Sequence, residues 1–251
     1  MPVSTADAQA LAAALLEADR VVVLTGLRLG GPEERDDTHA GGQWAARANL
    51  EAFLTEPASF WEYFYPTAVA VADREPTPDH LALARLQRAG AVSALITQAV
   101  DRLHARAGST DVVEVYGTLL TERCERCGER YGLPEVGALI AAAPDGVPRC
   151  TTAGCAYPLR PEGTLWGEPL PRGAVERAWE LAAEADAFVV LDSDLRTAPI
   201  SLLPSVPLTR GAPLVVVGQT PTQYDRYARI LVRAPSAGLM TAVADLIAPE
   251  G

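Results

Sequence analysis

The stretch VVEVYGTLLTERCERCG (112–128) joins a predicted strand to a pair of cysteines, and it indicates two different kinds of structure. Its first five residues, VVEVY, are rich in valine, which favours a buried strand. Beyond Gly117 the chain becomes polar, and Cys124 and Cys127 follow at a spacing of three. We therefore expect a sheet domain that carries an inserted cysteine module.

The cysteines of the chain fall into two close pairs, Cys124 with Cys127 and Cys150 with Cys155. Two short-range pairs on separate turns are the pattern of four thiolate ligands around one tetrahedral zinc ion. Four cysteines close the coordination sphere and leave no position for water, so the predicted role of the zinc is structural. The alternative is a set of four buried or redox-active thiols.

Six valine-, isoleucine- and leucine-rich runs predict the strands of a parallel sheet that is buried on both faces. They lie at residues 21–25, 92–97, 112–116, 188–192, 214–218 and 230–234. Helical patterns alternate with them at residues 5–18, 77–90, 175–185 and 239–247. This alternation predicts an α/β fold: a Rossmann-like parallel sheet with helices on both faces, plus an inserted zinc-ribbon and helical lobe.

Two segments interrupt the alternation and are expected to form that small lobe. Residues 28–76 contain a polar, glycine-rich stretch and the aromatic run FWEYFYP (60–66), and residues 118–165 hold the four cysteines. The predicted Rossmann-like domain then consists of residues 1–27, 77–117 and 166–251.

Composition excludes some partners. The 251 residues carry a net charge of −11, and binding a nucleic-acid backbone needs clustered basic residues, so no nucleic-acid partner is expected. The apolar runs are too short to span a membrane. The N-terminal MPVSTADAQA has no basic segment ahead of an apolar one, so we expect a cytoplasmic protein. Nothing in the sequence indicates an oligomeric state.

Four segments match motifs of one family in that family's order. ITQAVDRLHARAGS (96–109) resembles ITQNIDxLHxxAGS, and VVEVYGTLLTERCERCGERY (112–131) resembles VxELHGSxxxxxCxxCxxxY. PLRPEGTLWGEPLP (158–171) is similar to LRPxVVxFGExLP, and PTPDHLALARL (76–86) is similar to PNxxHxALAxL. These are motifs of the sirtuins, the NAD-dependent protein deacylases. The resemblance implies NAD as cofactor and an acylated peptide as substrate.

Two residues depart from the motifs that the resemblance associates with catalysis. Tyr116 stands where the family has a histidine that takes a proton from the nicotinamide ribose. A phenol, with an ordinary pKa of about 10, is a weaker base at neutral pH than an imidazole with a pKa of about 6.5. We expect Tyr116 to fill the cleft as an apolar plug with a polar tip; the alternative is a hydrogen bond to a ribose hydroxyl. Ala99 replaces an asparagine and offers no side-chain hydrogen bond.

Gln98 and Asp101 remain from the same motif and are cleft candidates beside Tyr116. The resemblance implies that Asp101 contacts the nicotinamide carboxamide, and the alternative is that it caps the helix that follows. With the histidine and the asparagine both replaced, no catalytic set of the family is intact.

The loops that would hold the dinucleotide are also altered. TGLRLGGPEERDD (25–37) keeps Thr25 and Gly26 of the family pattern, and then adds an acidic run that we interpret as a solvated loop. The family's GTSL segment becomes DSDL, in which Ser193 lies between Asp192 and Asp194, and two carboxylates there are expected to repel a pyrophosphate. The candidate cofactor-binding residues are Thr25, Gly26, Gln98, Asp101 and Ser193, in an NAD site predicted to be degenerate.

The segment that the resemblance assigns to substrate binding keeps more of the family pattern. Leu165, Trp166, Gly167 and Glu168 correspond to the family segment that clamps a substrate peptide by strand addition. We therefore expect a groove for a peptide, a protein or a small ligand at these residues.

Three hypotheses follow from these residues. The favoured one is a sirtuin-like pseudo-enzyme that has lost NAD-dependent lysine deacylation, keeps structural zinc and acts by binding a protein or small ligand. The alternative is an NAD-dependent deacylase or ADP-ribosyltransferase of weak or altered activity that uses Asp101 and Tyr116. A second alternative is a different enzyme that uses Asp192 and Asp194 with Asp101 on a cationic or non-nucleotide substrate.

Overall fold

The computed structural model describes residues 4–27, 29 and 43–249. None of the described helices has the length and apolarity needed to cross a membrane. Two short 3-10 helices occur at Ile200–Leu202 and Asp225–Tyr227. The helices and strands in chain order are α1 (Thr5–Leu16), β1 (Val21–Thr25), α2 (Gln43–Arg47), α3 (Leu50–Thr55), α4 (Pro57–Ala72), α5 (Pro78–Arg88), β2 (Ala94–Thr97), α6 (Leu103–Arg106), β3 (Val112–Glu114), β4 (Thr121–Cys124), β5 (Arg130–Gly132), α7 (Leu133–Ala142), β6 (Leu159–Pro161), α8 (Arg172–Glu184), β7 (Ala187–Leu191), α9 (Ser205–Thr209), β8 (Leu214–Val217), β9 (Ile230–Val232) and α10 (Leu239–Ile247).

The chain divides into two compact units, and the first contains a six-stranded sheet. Its described part comprises residues 4–27, 29, 75–115 and 171–249. The strand order is β3-β2-β1-β7-β8-β9, and all neighbouring strands are parallel. This confirms the predicted α/β class and parallel sheet. All six predicted strand runs enter the sheet, most of them one to two residues shorter than predicted.

Burial explains why these runs form strands. Every residue of β1 and of β7 is buried, so both faces of the sheet are covered. On one face Val23 and Val189 pack in one cluster with Leu11 of α1, Leu83 of α5 and Val243 of α10. Removing this much aliphatic surface from water is the main stabilising term, at about 25 cal/mol per Å².

The strand order places a crevice beside β1. The chain runs outward from β1 through β2 to β3, and then continues on the other side of β1 with β7. The connections that leave the carboxyl ends of β1 and β7 therefore diverge, which in parallel α/β sheets is where ligands bind. Gly26 follows β1 and Asp192 follows β7 at this point.

The second unit consists, in its described part, of residues 43–74 and 116–170. It contains an antiparallel sheet of order β5-β4-β6 together with α2, α3, α4 and α7. The predicted aromatic run forms part of α4, where Phe60, Trp61 and Phe64 are all buried and the Phe60 and Phe64 rings stack at 5.2 Å. These aromatic side chains supply the core that a three-stranded sheet cannot provide alone.

The unit boundaries differ from the predicted ones by two to five residues. Tyr116, Gly117 and residues 166–170 belong to the second unit, whereas the sequence placed them in the first. The Tyr116 carbonyl accepts the Thr164 N–H at 2.8 Å, and the Trp166 carbonyl accepts the Leu50 N–H at 3.0 Å. These bonds join both ends of the cysteine-bearing segment to their own unit.

Gly26→Ala is expected to destabilise the first unit by about 3 kcal/mol or more, because overpacking against a fixed backbone cannot relax. A Cβ at residue 26 would lie 1.8 Å from the Asp192 carbonyl oxygen. The matched control is Gly173→Ala in α8, where an added Cβ meets nothing within 4 Å. That substitution should raise the free energy of unfolding by up to about 1 kcal/mol. Urea unfolding measures both, and equal midpoints for Gly26→Ala and wild type would contradict the packing argument.

Candidate functional site

The four cysteines come together in the second unit. Cys124 ends β4, Cys127 and Cys155 lie in turns, and Cys150 follows the isolated β-bridge of Arg149 with Pro158. All four sulfur atoms lie within 4.8 Å of one another. The Cys124 and Cys155 sulfurs are 3.5 Å apart, as are those of Cys127 and Cys150. A disulfide needs an S–S distance of about 2.05 Å, so these are free thiols.

The donor set fits one tetrahedral ion. Zn–S bonds of about 2.3 Å put the sulfurs of a tetrahedral site about 3.8 Å apart, close to the observed spacing. Tyr131 supports the cluster from β5: its hydroxyl donates to the Cys150 sulfur at 3.2 Å and accepts the Thr151 N–H at 2.8 Å. Hydrogen bonds to ligand atoms of this kind orient the ligands of metal sites.

Three predicted cofactor-binding residues are joined by hydrogen bonds at the carboxyl edge of the parallel sheet. The Ser193 hydroxyl donates to the Gln98 side-chain oxygen at 2.7 Å, and the Gln98 N–H donates to the Thr25 carbonyl at 3.0 Å. Thr25, Gln98 and Ser193 follow or end three adjacent strands, β1, β2 and β7. Residues far apart in the sequence therefore meet beside the crevice.

Gly26, the fourth candidate, brings two backbones into contact. Its N–H donates to the Leu191 carbonyl at 2.8 Å, and the space that a Cβ would fill is taken by the Asp192 carbonyl. Glycine is required here because any side chain would force the two loops apart.

A buried network behind these residues was missed by sequence reasoning. The Thr25 hydroxyl donates to the Thr97 hydroxyl at 2.8 Å, which also accepts the Ala99 N–H at 3.0 Å. His104 Nε2 lies 2.9 Å from the Thr25 oxygen, so with the threonine proton directed at Thr97, Nε2 is the donor. The only signal in the sequence was a threonine at the end of each of two buried strands.

His80 and His104 form a buried pair that is neutral at physiological pH. Their ring centroids are 4.6 Å apart, and each side chain is about 2% exposed. Burial lowers the pKa of His104 to about 3, with a further contribution from His80, and burial lowers the pKa of His80 to about 4. Neither is a substitute for the replaced base, because an imidazole with so low a pKa holds a proton poorly.

Asp101 contacts the start of α6 from one position before the N-cap residue, Arg102. Its Oδ1 accepts the N–H of Leu103, the first residue of α6, at 3.0 Å. Ala99, two residues earlier, is buried, and its N–H donates to the Thr97 hydroxyl. Asp101 therefore stabilises the start of α6, and its contact with a carboxamide stays a prediction.

The two carboxylates of the DSDL segment each accept hydrogen bonds. Asp192 accepts the Ser236 N–H at 3.1 Å and the Ser236 hydroxyl at 2.5 Å. Asp194 is exposed, accepts the Arg196 N–H at 3.2 Å and lies 3.6 Å from the Arg196 guanidinium. The sequence does not show the partner of Asp192, 44 residues away, and the repulsion of a pyrophosphate stays a prediction.

The predicted peptide groove contains one exposed apolar side chain. Leu165 is 1% exposed and Trp166 48% exposed. Glu168 accepts the Leu165 N–H at 2.9 Å and forms an ion pair with Arg160 at 2.8 Å, so it fixes the shape of the turn at Gly167. Trp166 is the member of the set best placed to contact a ligand.

Tyr116 is half-buried at the start of the cysteine-bearing segment. The next residue, Gly117, has a φ of +69°, and a Cβ on it would lie 2.5 Å from the Glu162 carbonyl oxygen. The turn after Tyr116 is therefore fixed against residues 162–164. The predicted acidic loop residues Glu33, Glu34, Asp36 and Asp37 lie outside the described residues.

Comparison with known proteins identifies the family. The model of the Sir2 family matches residues 41–199, which is more than half of the chain. An NAD-dependent protein deacylase of Thermus thermophilus is 38% identical, covering 94% of this chain and 92% of its own length. This chain belongs to the Sir2 family. NAD-dependent protein deacetylase 1 of Pyrobaculum aerophilum is 34% identical to this sirtuin, over 78% of the chain and 75% of its own length.

Solved sirtuin structures share the fold. A Sir2 bound to acetylated peptide superposes with a TM-score of 0.86 at 27% identity, covering 96% of this chain and 99% of that one. A histidine-to-tyrosine mutant of Sir2 with p53 peptide and NAD superposes with a TM-score of 0.83 at 28% identity, covering 95% of this chain and 97% of that one. The recognition of the family from its motifs is thus confirmed, and the comparisons do not show the predicted degeneracy.

Cys150→Ser is expected to reduce the metal content of the purified protein from one zinc per chain to well below one, because a structural site needs all four thiolates. The second unit should then unfold at a lower temperature, as should wild type after strong chelation. Elemental analysis and thermal melts measure both effects. Tyr131→Phe is the matched control: it removes the hydroxyl that contacts Cys150 and Thr151, leaves all four thiolates in place and should keep the metal. Wild type without metal and with an unchanged melt after chelation would refute the site.

Acid should destabilise the first unit through the histidine pair. The folded pKa values of about 3 and about 4 lie below the unfolded value of 6.5, so the pair favours the folded state fully above pH 6.5. That stability is lost as pH falls from 6.5 towards the folded values, by about 1.4 kcal/mol per pH unit for each histidine. Urea unfolding should therefore show a smaller loss of the free energy of unfolding between pH 7.5 and 5.0 in His104→Asn than in wild type. Equal losses in the two proteins would mean that His104 is not held neutral by burial in the folded state.

Proposed function

We propose that this sirtuin binds NAD and an acylated peptide and removes the acyl group from lysine, with low turnover at neutral pH. Zinc held by the four cysteines has a structural role in this proposal. The observation that carries it is the hydrogen-bonded network of Thr25, Gln98 and Ser193 at the crevice beside β1. Crevices of this kind are where parallel α/β sheets hold dinucleotides.

Gly26 supports dinucleotide binding by its geometry. A pyrophosphate is held by backbone N–H groups that can approach it closely, and glycine permits that approach. The tight contact between the Gly26 and Asp192 backbones fixes Gly26 against the turn after β7. A residue that is already fixed contributes to binding without a further entropic cost of ordering it.

The relatives support NAD binding, since those at 34% to 38% identity are named NAD-dependent protein deacetylase or deacylase. The two carboxylates of the DSDL segment have partners: Asp192 is bound to the backbone and hydroxyl of Ser236, and Asp194 is paired with Arg196. The Ser236 bonds hold Asp192 in place without removing its charge, so repulsion of a pyrophosphate by Asp192 stays a prediction.

Tyr116 is the reason to expect low turnover. In the family motif a histidine at this position takes a proton from the nicotinamide ribose, and a tyrosine does this poorly at pH 7. The similar Sir2 structure with a histidine-to-tyrosine substitution is described with both p53 peptide and NAD. A replacement of this kind is thus compatible with binding in that protein, and we expect Tyr116 to slow the reaction more than it weakens binding.

The pseudo-enzyme hypothesis is the second candidate, and Tyr116 together with Ala99 favours it. On this view no acyl group is removed, and the protein acts by binding a protein or small ligand. The two functions differ in the chemical step whether or not NAD binds, so binding and turnover have to be measured separately.

Tyr116→His should raise the deacylation rate by about a hundredfold or more, because general-base catalysis contributes roughly 10²–10⁴-fold. The assay follows nicotinamide release and loss of acetyl from a synthetic acetyl-lysine peptide. All 21 basic residues of the chain are arginine, so every acyl-lysine signal comes from the peptide. Mass spectrometry of the products separates deacylation from ADP-ribosyl transfer.

Tyr116→Phe is the matched control, since it keeps the ring and removes only the hydroxyl. Calorimetric titration with NAD should give similar affinities for wild type, Tyr116→Phe and Tyr116→His. Absence of NAD binding in wild type at millimolar concentration would refute the proposal. Wild type that binds NAD but shows no turnover, beside an active Tyr116→His, would establish the pseudo-enzyme instead.

A further inference from the structure

We infer that Asp192 is a positioning residue, which ties the turn after β7 to the start of α10 and so holds Ser193 against Gln98 for the nucleotide. The inference rests on the proposed function for its ligand. It gives a role to a carboxylate that the sequence suggested to be harmful to NAD binding.

The backbone conformation of Asp192 indicates that its side-chain hydrogen bonds stabilise the turn. Its φ of +49° lies in the left-handed region, which favours glycine and is tolerated by aspartate. A non-glycine residue in this region persists where surrounding contacts compensate for the strain. Here the compensation is visible: the carboxylate accepts both the N–H and the hydroxyl of Ser236, at 3.1 and 2.5 Å.

Ser236 in turn fixes the start of α10. It is fully buried, and its carbonyl accepts the N–H of Leu239, the first residue of the helix, at 2.7 Å. Asp79, from the first turn of α5, holds the same segment by accepting the N–H groups of Gly238 at 3.1 Å and Thr241 at 3.3 Å. The segment 236–241 is therefore held by two carboxylates from different elements.

The turn after β7 is fixed at three points. The Asp192 N–H donates to the Val217 carbonyl at 2.8 Å, and its carbonyl lies against Gly26. Its carboxylate supplies the third point at Ser236. The next residue, Ser193, donates to Gln98 and accepts the Leu195 N–H at 3.3 Å, so its hydroxyl direction depends on a turn that Asp192 anchors.

Positioning and repulsion make opposite predictions for the same substitution. If the carboxylate mainly repels phosphate, removing it improves NAD binding, and Asp194 behaves in the same way. If it mainly positions the turn, removing it weakens NAD binding. Substitution of Asp194 then has no effect, because among the described residues the Asp194 side chain bonds only to the neighbouring Arg196, in an exposed turn.

The test compares Asp192→Gly with Asp192→Asn and Asp194→Asn. Glycine removes the carboxylate without imposing backbone strain at φ +49°, whereas asparagine keeps an acceptor for Ser236 and tolerates the same φ. The KM for NAD should rise about tenfold in Asp192→Gly and about threefold in Ser236→Ala. It should stay near the wild-type value in Asp192→Asn and Asp194→Asn. The KM for the peptide should not change in any of them.

Hydrogen exchange gives a readout that needs no NAD. The Leu195 amide should lose protection in Asp192→Gly and keep it in Asp192→Asn, so the positioning role is tested even in a protein that does not bind the cofactor. The double variant Asp192→Gly/Ser236→Ala should be no worse than Asp192→Gly alone, because both remove one interaction. An Asp192→Gly protein with unchanged exchange, or with tighter NAD binding, would overturn the inference.

Discussion

The close backbone contact between Gly26 and Asp192 is the constraint on which the crevice of the first unit depends. It holds the loops after β1 and β7 together at the one place where the strand order reverses. Thr25, Gln98 and Ser193 meet there because their strands are adjacent and parallel. The buried threonines and histidines behind them fix the ends of β1 and β2 from within the core.

The second unit is stabilised differently, because three short strands bury too little surface to fold alone. The aromatic side chains of α4 supply an apolar core, and the four cysteine sulfurs lie close enough together to fit one metal ion. The hydroxyl of Tyr131, a buried residue of β5, supports the cysteine cluster by contacting the Cys150 sulfur. This part of the chain keeps the pattern of its family, including the glycine turn after Tyr116.

The departures from the family motifs have unequal weight. Ala99 and Tyr116 stand where the family motifs have an asparagine and a histidine, and the two described histidines are buried and neutral, so neither is a substitute base. Asp192 and Asp194, in contrast, are held in place by hydrogen bonds from Ser236 and Arg196. On the proposed function, Tyr116 slows the chemical step more than it weakens binding.

The sequence by itself determined the six strands of the parallel sheet, the helices α1, α5, α8 and α10, the four-cysteine cluster and the family, because each depends on residues close together in the chain: runs of valine, helix caps, a C-x-x-C pair. It also selected Thr25, Gly26, Gln98 and Ser193, through motifs. It did not locate α4, the longest described helix, or the three strands of the antiparallel sheet. Only the tertiary structure decided what the charged side chains do. Asp192 accepts a hydrogen bond from Ser236, Asp79 accepts one at the start of α10, and Glu168 forms an ion pair with Arg160. Such pairings depend on how separate segments of the chain pack together, and a local sequence pattern does not show this.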